Sequence, residues 1–153
     1  MPKNSTNALE TLYKRWTRNM TVQPGANEKA LNELQRAVRI ELPADYVAFL
    51  RWSNGMHGDI GRNYVDISSA EEITSDPYPF EEFVPGLLFI AGDGGAALFG
   101  FDTRVHPMPI VITHHDDLDL QNLVVAAVSF TAFLEFLTNE DWSEYWYNQR
   151  TSS

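Results

Sequence analysis

The chain has 153 residues, 44% hydrophobic and 12% aromatic, enough for one domain with a full core and too apolar for a disordered chain. The absence of cysteine excludes disulfides, thiolate nucleophiles and thiolate metal sites, and no run approaches the ~18 uninterrupted apolar residues of a membrane helix. The net charge of −10 is unevenly spread: residues 1–51 hold eight Lys/Arg against five Asp/Glu, residues 52–153 three Arg against sixteen Asp/Glu. An acidic balance of this kind repels nucleic acid and anionic membrane and attracts basic partners, and it also serves plain solubility.

The opening MPKNSTNALETLYKRW lacks the apolar stretch of a secretory signal, so a cytoplasmic location is expected. Asn7 followed by Glu10 resembles a capping box, and Leu9, Leu12, Tyr13 and Trp16 share one face, which predicts a helix near 7–18. TVQPGAN breaks it, and Asn27 can cap a second helix near 28–40 with Ala30, Leu31, Leu34 and Val38 as its buried stripe. Pro43 suits the first turn of a third helix near 43–53, in which Tyr46, Phe49 and Leu50 repeat the spacing and Asn54-Gly55 supplies the stop.

Beyond Gly55 the pattern changes. MHGDIGRN reads as loop, YVDIS as a strand near 63–67, SSAEEITSD as a brief helical turn capped by Ser68 or Ser69, and PYPFEEFVPG as irregular. Strands are predicted near 87–91, 96–101 and 109–114, and LVVAAV as a last strand or a connector, with the connector favoured. Ser129 can cap a helix near 130–138 with Phe130, Phe133, Leu134 and Leu137 on one face; Asn139-Glu140-Asp141 then opens another near 141–148, with Trp142, Tyr145 and Trp146 as its docking side. Helices at both ends of a run of antiparallel strands predict a single α+β domain. Tyr46, Phe49, Leu50, Phe89, Phe99, Phe101, Phe133, Leu134 and Leu137 are its expected core.

The stretch IAGDGGAALFGFD could cradle a phosphate, hold a metal or turn a hairpin. A Walker loop needs a lysine and a hydroxyl after the last glycine, and here AALFGFD follows Gly95. A dinucleotide loop needs a helix behind its glycines, whereas these are followed by strand formers, and Asp93 would repel phosphate. An EF-hand needs further oxygen ligands at set intervals. Gly92, Asp93, Gly94 and Gly95 therefore read as a hairpin turn, with at least one glycine at positive φ. In ITHHDDLD, His114 and His115 are adjacent on an extended chain and point to opposite faces, a poor start for a shared metal ion. No Gly-x-Ser-x-Gly elbow surrounds any serine.

ELPADYVAFLRWSNG (41–55) resembles the Leu-Pro-x-Asp-Tyr-x-x-Phe-Leu-x-x-x-Asn-Gly signature of the SUKH superfamily, which includes the fungal Smi/Knr cell-wall assembly regulators and many bacterial relatives. FIAGDGGAALFGFDT (89–103) is similar to that superfamily's glycine-rich strand-turn-strand, and SFTAFLEFL (129–137) to its closing helix. The likeness spans most of residues 27–138, which leaves 1–26 as an N-terminal helical extension and 139–153 as a C-terminal helix and tail of one domain over 1–153. Alanine follows Gly94-Gly95 where relatives often carry polar residues, which weakens any ligand role for the turn.

The resemblance implies a central, mostly antiparallel sheet flanked by helices, with no catalysis and no cofactor. Bacterial members are similar to immunity proteins that neutralise a cognate toxin, often a nuclease; fungal members are regulatory scaffolds. For a basic toxin, the expected contact residues are Glu71, Glu72, Asp76, Glu81 and Glu82 in the irregular middle, and Asp116, Asp117 and Asp119 at a strand end. Tyr78, Phe80 and Phe83 are possible aromatic anchors, with core packing as their alternative. A regulatory scaffold is the second expectation. A small-molecule-binding domain or an unrecognised enzyme is the third, and would show a deep pocket with convergent polar groups.

Overall fold

Helices form where apolar residues recur at helical spacing, and side-chain caps decide where most of them start. In the computed structural model, which describes the backbone of residues 2–151 and the side chains of residues 8–150, helix α1 spans Pro2–Trp16. Asn7, expected as its cap, therefore lies inside the helix, and its side chain is outside the described residues. Helix α2 (Glu28–Val38) starts at Asn27, whose side chain accepts the Ala30 N–H, and buries the expected stripe. Helix α3 (Ala44–Trp52) follows Pro43. Helix α4 (Ala70–Ser75) has a complete capping box between Ser69 and Glu72. Helix α5 (Phe130–Asn139) is capped by Ser129, and helix α6 (Trp142–Thr151) follows Asp141, whose carboxylate accepts the Ser143 and Glu144 amides.

The strands are β1 (Met20–Val22), β2 (Met56–Ile60), β3 (Asn63–Ile67), β4 (Leu87–Gly92), β5 (Ala97–Asp102), β6 (Ile110–His114) and β7 (Val124–Ala127). Each pairs antiparallel with its neighbour in chain order, so one meander of seven strands makes the sheet and the class is α+β. Three strands depart from the sequence expectation. β1 lies in the stretch expected to break the first helix, β2 in the expected MHGDIGRN loop and β7 in the expected connector. In β2, inward Met56 and Ile60 flank Gly58, which hides the alternation. That glycine has φ +141°, and a Cβ on it would lie 2.8 Å from Met20 Cα, so the close approach of β1 requires it. β7 is an edge strand with Val125 exposed, and its pairing with β6 shifts register at Ile110/Val111.

Strand alternation sends Leu88, Phe99, Phe101, Ile110 and Ile112 into the main core, shared with helices α1, α2, α3 and α5. There Tyr13, Tyr46, Phe49 and Phe130 meet edge-on or tilted, with ring centroids 4.9 to 6.1 Å apart. Fully burying side chains of this size stabilises by roughly 1.5–3 kcal/mol each. Phe89 is the exception among the expected core residues. It falls between Leu88 and Ile90, so strand parity turns it to the opposite face, where it is half-buried against Phe80 at 5.7 Å.

That second face carries a smaller core of Val84, Leu87 and Val111, covered by Phe80, Leu118, Leu120 and Leu123 from the loops of residues 77–86 and 115–123. Over β2 and β3 no such cover exists among the described residues. His57, Asp59, Tyr64 and Asp66 stand exposed there.

Candidate functional site

The glycine-rich turn consumes its own hydrogen-bonding capacity. Asp93 accepts the Gly95 N–H at 2.9 Å and the Ala97 N–H at 3.0 Å, so its carboxylate occupies amides that a phosphate would need. Gly94 has φ +78°, and a Cβ on it would stand 3.3 Å from the Tyr64 ring. The two neighbouring histidines diverge. His114 stacks on Trp146 with 5.2 Å between centroids, while the His115 N–H bonds the Ala96 carbonyl beside the turn. Among the described residues no three His, Asp or Glu side chains gather as metal ligands.

The stretch 41–55 builds the frame. Asp45 Oδ2 accepts the Thr131 N–H at 2.9 Å and its hydroxyl at 2.8 Å, so a residue of α3 holds the first turn of α5. Tyr13 from α1 joins this joint, donating to the Asp45 carbonyl at 3.2 Å with its oxygen 2.8 Å from Thr131 Oγ1. Tyr46, Phe49 and Leu50 are fully buried. Asn54 Oδ1 accepts the Ala70 N–H, and its amide donates to Glu71 at 2.7 Å, which fixes the start of α4.

The loops of residues 77–86 and 115–123 meet through their apolar residues, because Phe80 of one and Leu118 and Leu120 of the other share the small second core, while Glu71 and Glu72 stand on α4 and Asp117 turns to α6. Their carboxylates are not equivalent. Glu71 is engaged by Asn54, Glu72 Oε1 accepts the Ser69 N–H, and Glu81 accepts the Gly86 N–H at 3.4 Å. In the second loop Asp117 pairs with Arg150 at 2.8 Å, Asp119 caps the short 3-10 turn Leu120–Asn122, and Asp116 lies 3.7 Å from His114. Arg150 in turn lies over the Trp146 ring at 4.6 Å. Much of the second group therefore ties α6 to the sheet. Glu82 and Asp76 are exposed, as is Phe83 at 58%, whereas Tyr78 donates to the Val38 carbonyl and packs on the main core.

A groove of about 440 Å³ runs between α4 and the β4–β5 turn. Phe89 and Leu98 line it from the sheet, Ile73 from α4 and His115 from the far side; Asp66, Glu72 and Asp76 supply its charge, and among the described residues no Lys or Arg lines it. A smaller depression of about 210 Å³ over β2 shares Asp66 and Glu72 with it. Asp66 and Tyr64 were not among the residues expected from sequence to form a site. The alternation of NYVDI, with Asn63, Val65 and Ile67 inward, is the signal that places them outward.

The model of the SMI1 / KNR4 family (SUKH-1) matches residues 25–135. The chain belongs to that family. No curated protein is found to match it. SUKH-1 domains are in general protein-interacting, non-enzymatic modules. The matched span of this SUKH-1 chain holds α2 to α4, the strands β2 to β7 and the start of α5. Outside it, α1 contributes buried Tyr13 to the joint at Asp45, and α6 contributes the Trp146–Arg150 pair that braces the second acidic loop. No helix among the described residues is long and apolar enough to cross a membrane.

Proposed function

We propose that this SUKH-1 domain is an immunity protein that neutralises a basic, nuclease-type toxin by covering it with the acidic face. The observation supporting this reading is the groove beside α4, lined by three carboxylates and, among the described residues, by no Lys or Arg. A nuclease is basic where it holds substrate phosphates, so such a face both fits that surface and speeds encounter. Phe83, exposed beside Glu81 and Glu82, is the aromatic anchor of the contact.

The test is association with the toxin domain encoded beside this chain's gene, followed across salt concentration. On-rates fall as salt rises, and Glu→Gln changes at Glu72, Glu81 and Glu82 with Asp76→Asn remove most of that dependence. Phe83→Ala weakens affinity by roughly tenfold or more at unchanged Tm. Salt-independent association, or affinity untouched by all of these changes, refutes the reading. Association with several unrelated proteins and no toxin would assign the chain to the regulatory class.

A further inference from the structure

The groove combines two features that suit one kind of side chain. Its floor is apolar, with Phe89 and Leu98 lying half-buried and Ile73 at the α4 wall. Its rim is anionic, and the charge is not spent internally: among the described residues neither the Asp66 nor the Asp76 carboxylate takes part in a hydrogen bond or an ion pair. Glu72, by contrast, has one oxygen committed to the helix cap. The volume of about 440 Å³ is at the small end of the roughly 300–1,000 Å³ of ligand pockets, room for a side chain with its flanking backbone and not for a helix.

An apolar floor with unneutralised carboxylates at its edge matches a cation carried on an aliphatic stem. The guanidinium suits it better than an ammonium. It is planar, more weakly hydrated, stacks on aromatic rings and offers donors in several directions to carboxylates on separate elements. Asp66 comes from β3 and Asp76 from the end of α4, so no single adjacent pair is being matched.

We propose that this groove receives an arginine side chain of the protein partner, its stem and guanidinium plane over Phe89 and Leu98 and its N–H groups donated to Asp66 and Asp76. This rests on the protein-binding reading above and names the residue that anchors it. The remaining acids then steer, while these two hold.

The test needs no toxin. N-acetyl-glycyl-arginyl-glycinamide is titrated into the isotopically labelled full chain and followed by amide chemical shifts, with the uncharged citrulline peptide as control. Saturable shifts are expected at Ile73, Gly94, Gly95, Leu98 and His115 with the arginine peptide only. Asp66→Asn with Asp76→Asn weakens binding roughly tenfold, since charge-assisted hydrogen bonds are lost; Glu33→Gln with Glu135→Gln, exposed on α2 and α5 and outside the groove, leaves it unchanged. Shifts scattered over every acidic segment, equal shifts with citrulline, or indifference to the Asp66/Asp76 change overturn the proposal. The two readings fail separately. Peptide binding in the groove without toxin association removes only the immunity assignment; toxin association that ignores Asp66 and Asp76, with no peptide binding, removes only the arginine site.

Discussion

The hydroxyl of Tyr46 is buried without a hydrogen-bond partner among the described residues, two aromatic contacts away from Tyr13, whose hydroxyl is fully used. Burial raises both phenols above their ordinary pKa, that of Tyr13 to about 12. An unpaired buried hydroxyl costs free energy, so Tyr46→Phe is expected to stabilise by about 1 kcal/mol. Asp45→Ala, at the next position, is expected to destabilise by about 2 kcal/mol, because it strips the Thr131 amide and hydroxyl of a charged acceptor. Urea midpoints at constant slope measure both, and equal signs would contradict this account of the signature. Gly94→Val should cost roughly 1–3 kcal/mol through strain at φ +78°, with crowding of Tyr64 added. It should leave the strand pairing of β4 and β5 intact by amide shifts.

Among the elements, α6 shows how a terminal helix is held by charge. The Ser143 hydroxyl, then the Glu144 amide, hold the Asp141 carboxyl below its ordinary range at the helix start. At the end of β5, burial opposes ionisation of Asp102, but the Arg104 guanidinium, bonded at 2.9 and 3.0 Å, outweighs it and the pKa is lowered. A carboxyl whose folded pKa is depressed contributes stability that is full above its unfolded pKa and is lost as pH falls through the folded value. Tm is therefore expected to be flat near neutrality and to drop below about pH 4. Asp141→Asn and Asp102→Asn should each flatten that acid limb; an unchanged limb in both variants would remove these residues from its cause.

At the scale of the molecule, helices cover one side of a seven-strand meander and loops cover only half of the other. Stability should follow that cover. Amide exchange is expected to be slowest at Leu88, Phe99 and Ile112, in central strands over the main core, and fastest in the edge strand β1, where Thr21 and Val22 are exposed. Fast exchange throughout β5 would contradict a main core centred there. The same uneven cover leaves Asp66 and Tyr64 open to solvent while Phe89, on the same sheet face, is half-buried by Phe80.

What could be read from the chain alone is what local chemistry decides. The caps at Asn27 and Ser129, the cap of α4 at Ser68 or Ser69, the buried stripes of α2, α3 and α5, and the turn chemistry of Asp93-Gly94 each depend on residues within a few positions of one another. The family signature was legible for the same reason, since its residues lie within one helix and its stop. Strands β1, β2 and β7 were not, because a three-residue edge, a glycine-centred strand and an exposed edge become strands only when a neighbour supplies the hydrogen bonds. The groove lay further out of reach. Asp66, Phe89, Leu98 and Asp76 meet only once the meander has set β3, β4 and β5 side by side and α4 beside them, and the commitment of Asp117 depends on Arg150, more than thirty residues away in the chain. Pairing and packing between distant segments, which no local spacing records, decided which carboxylates hold the fold and which face the groove without a partner among the described residues.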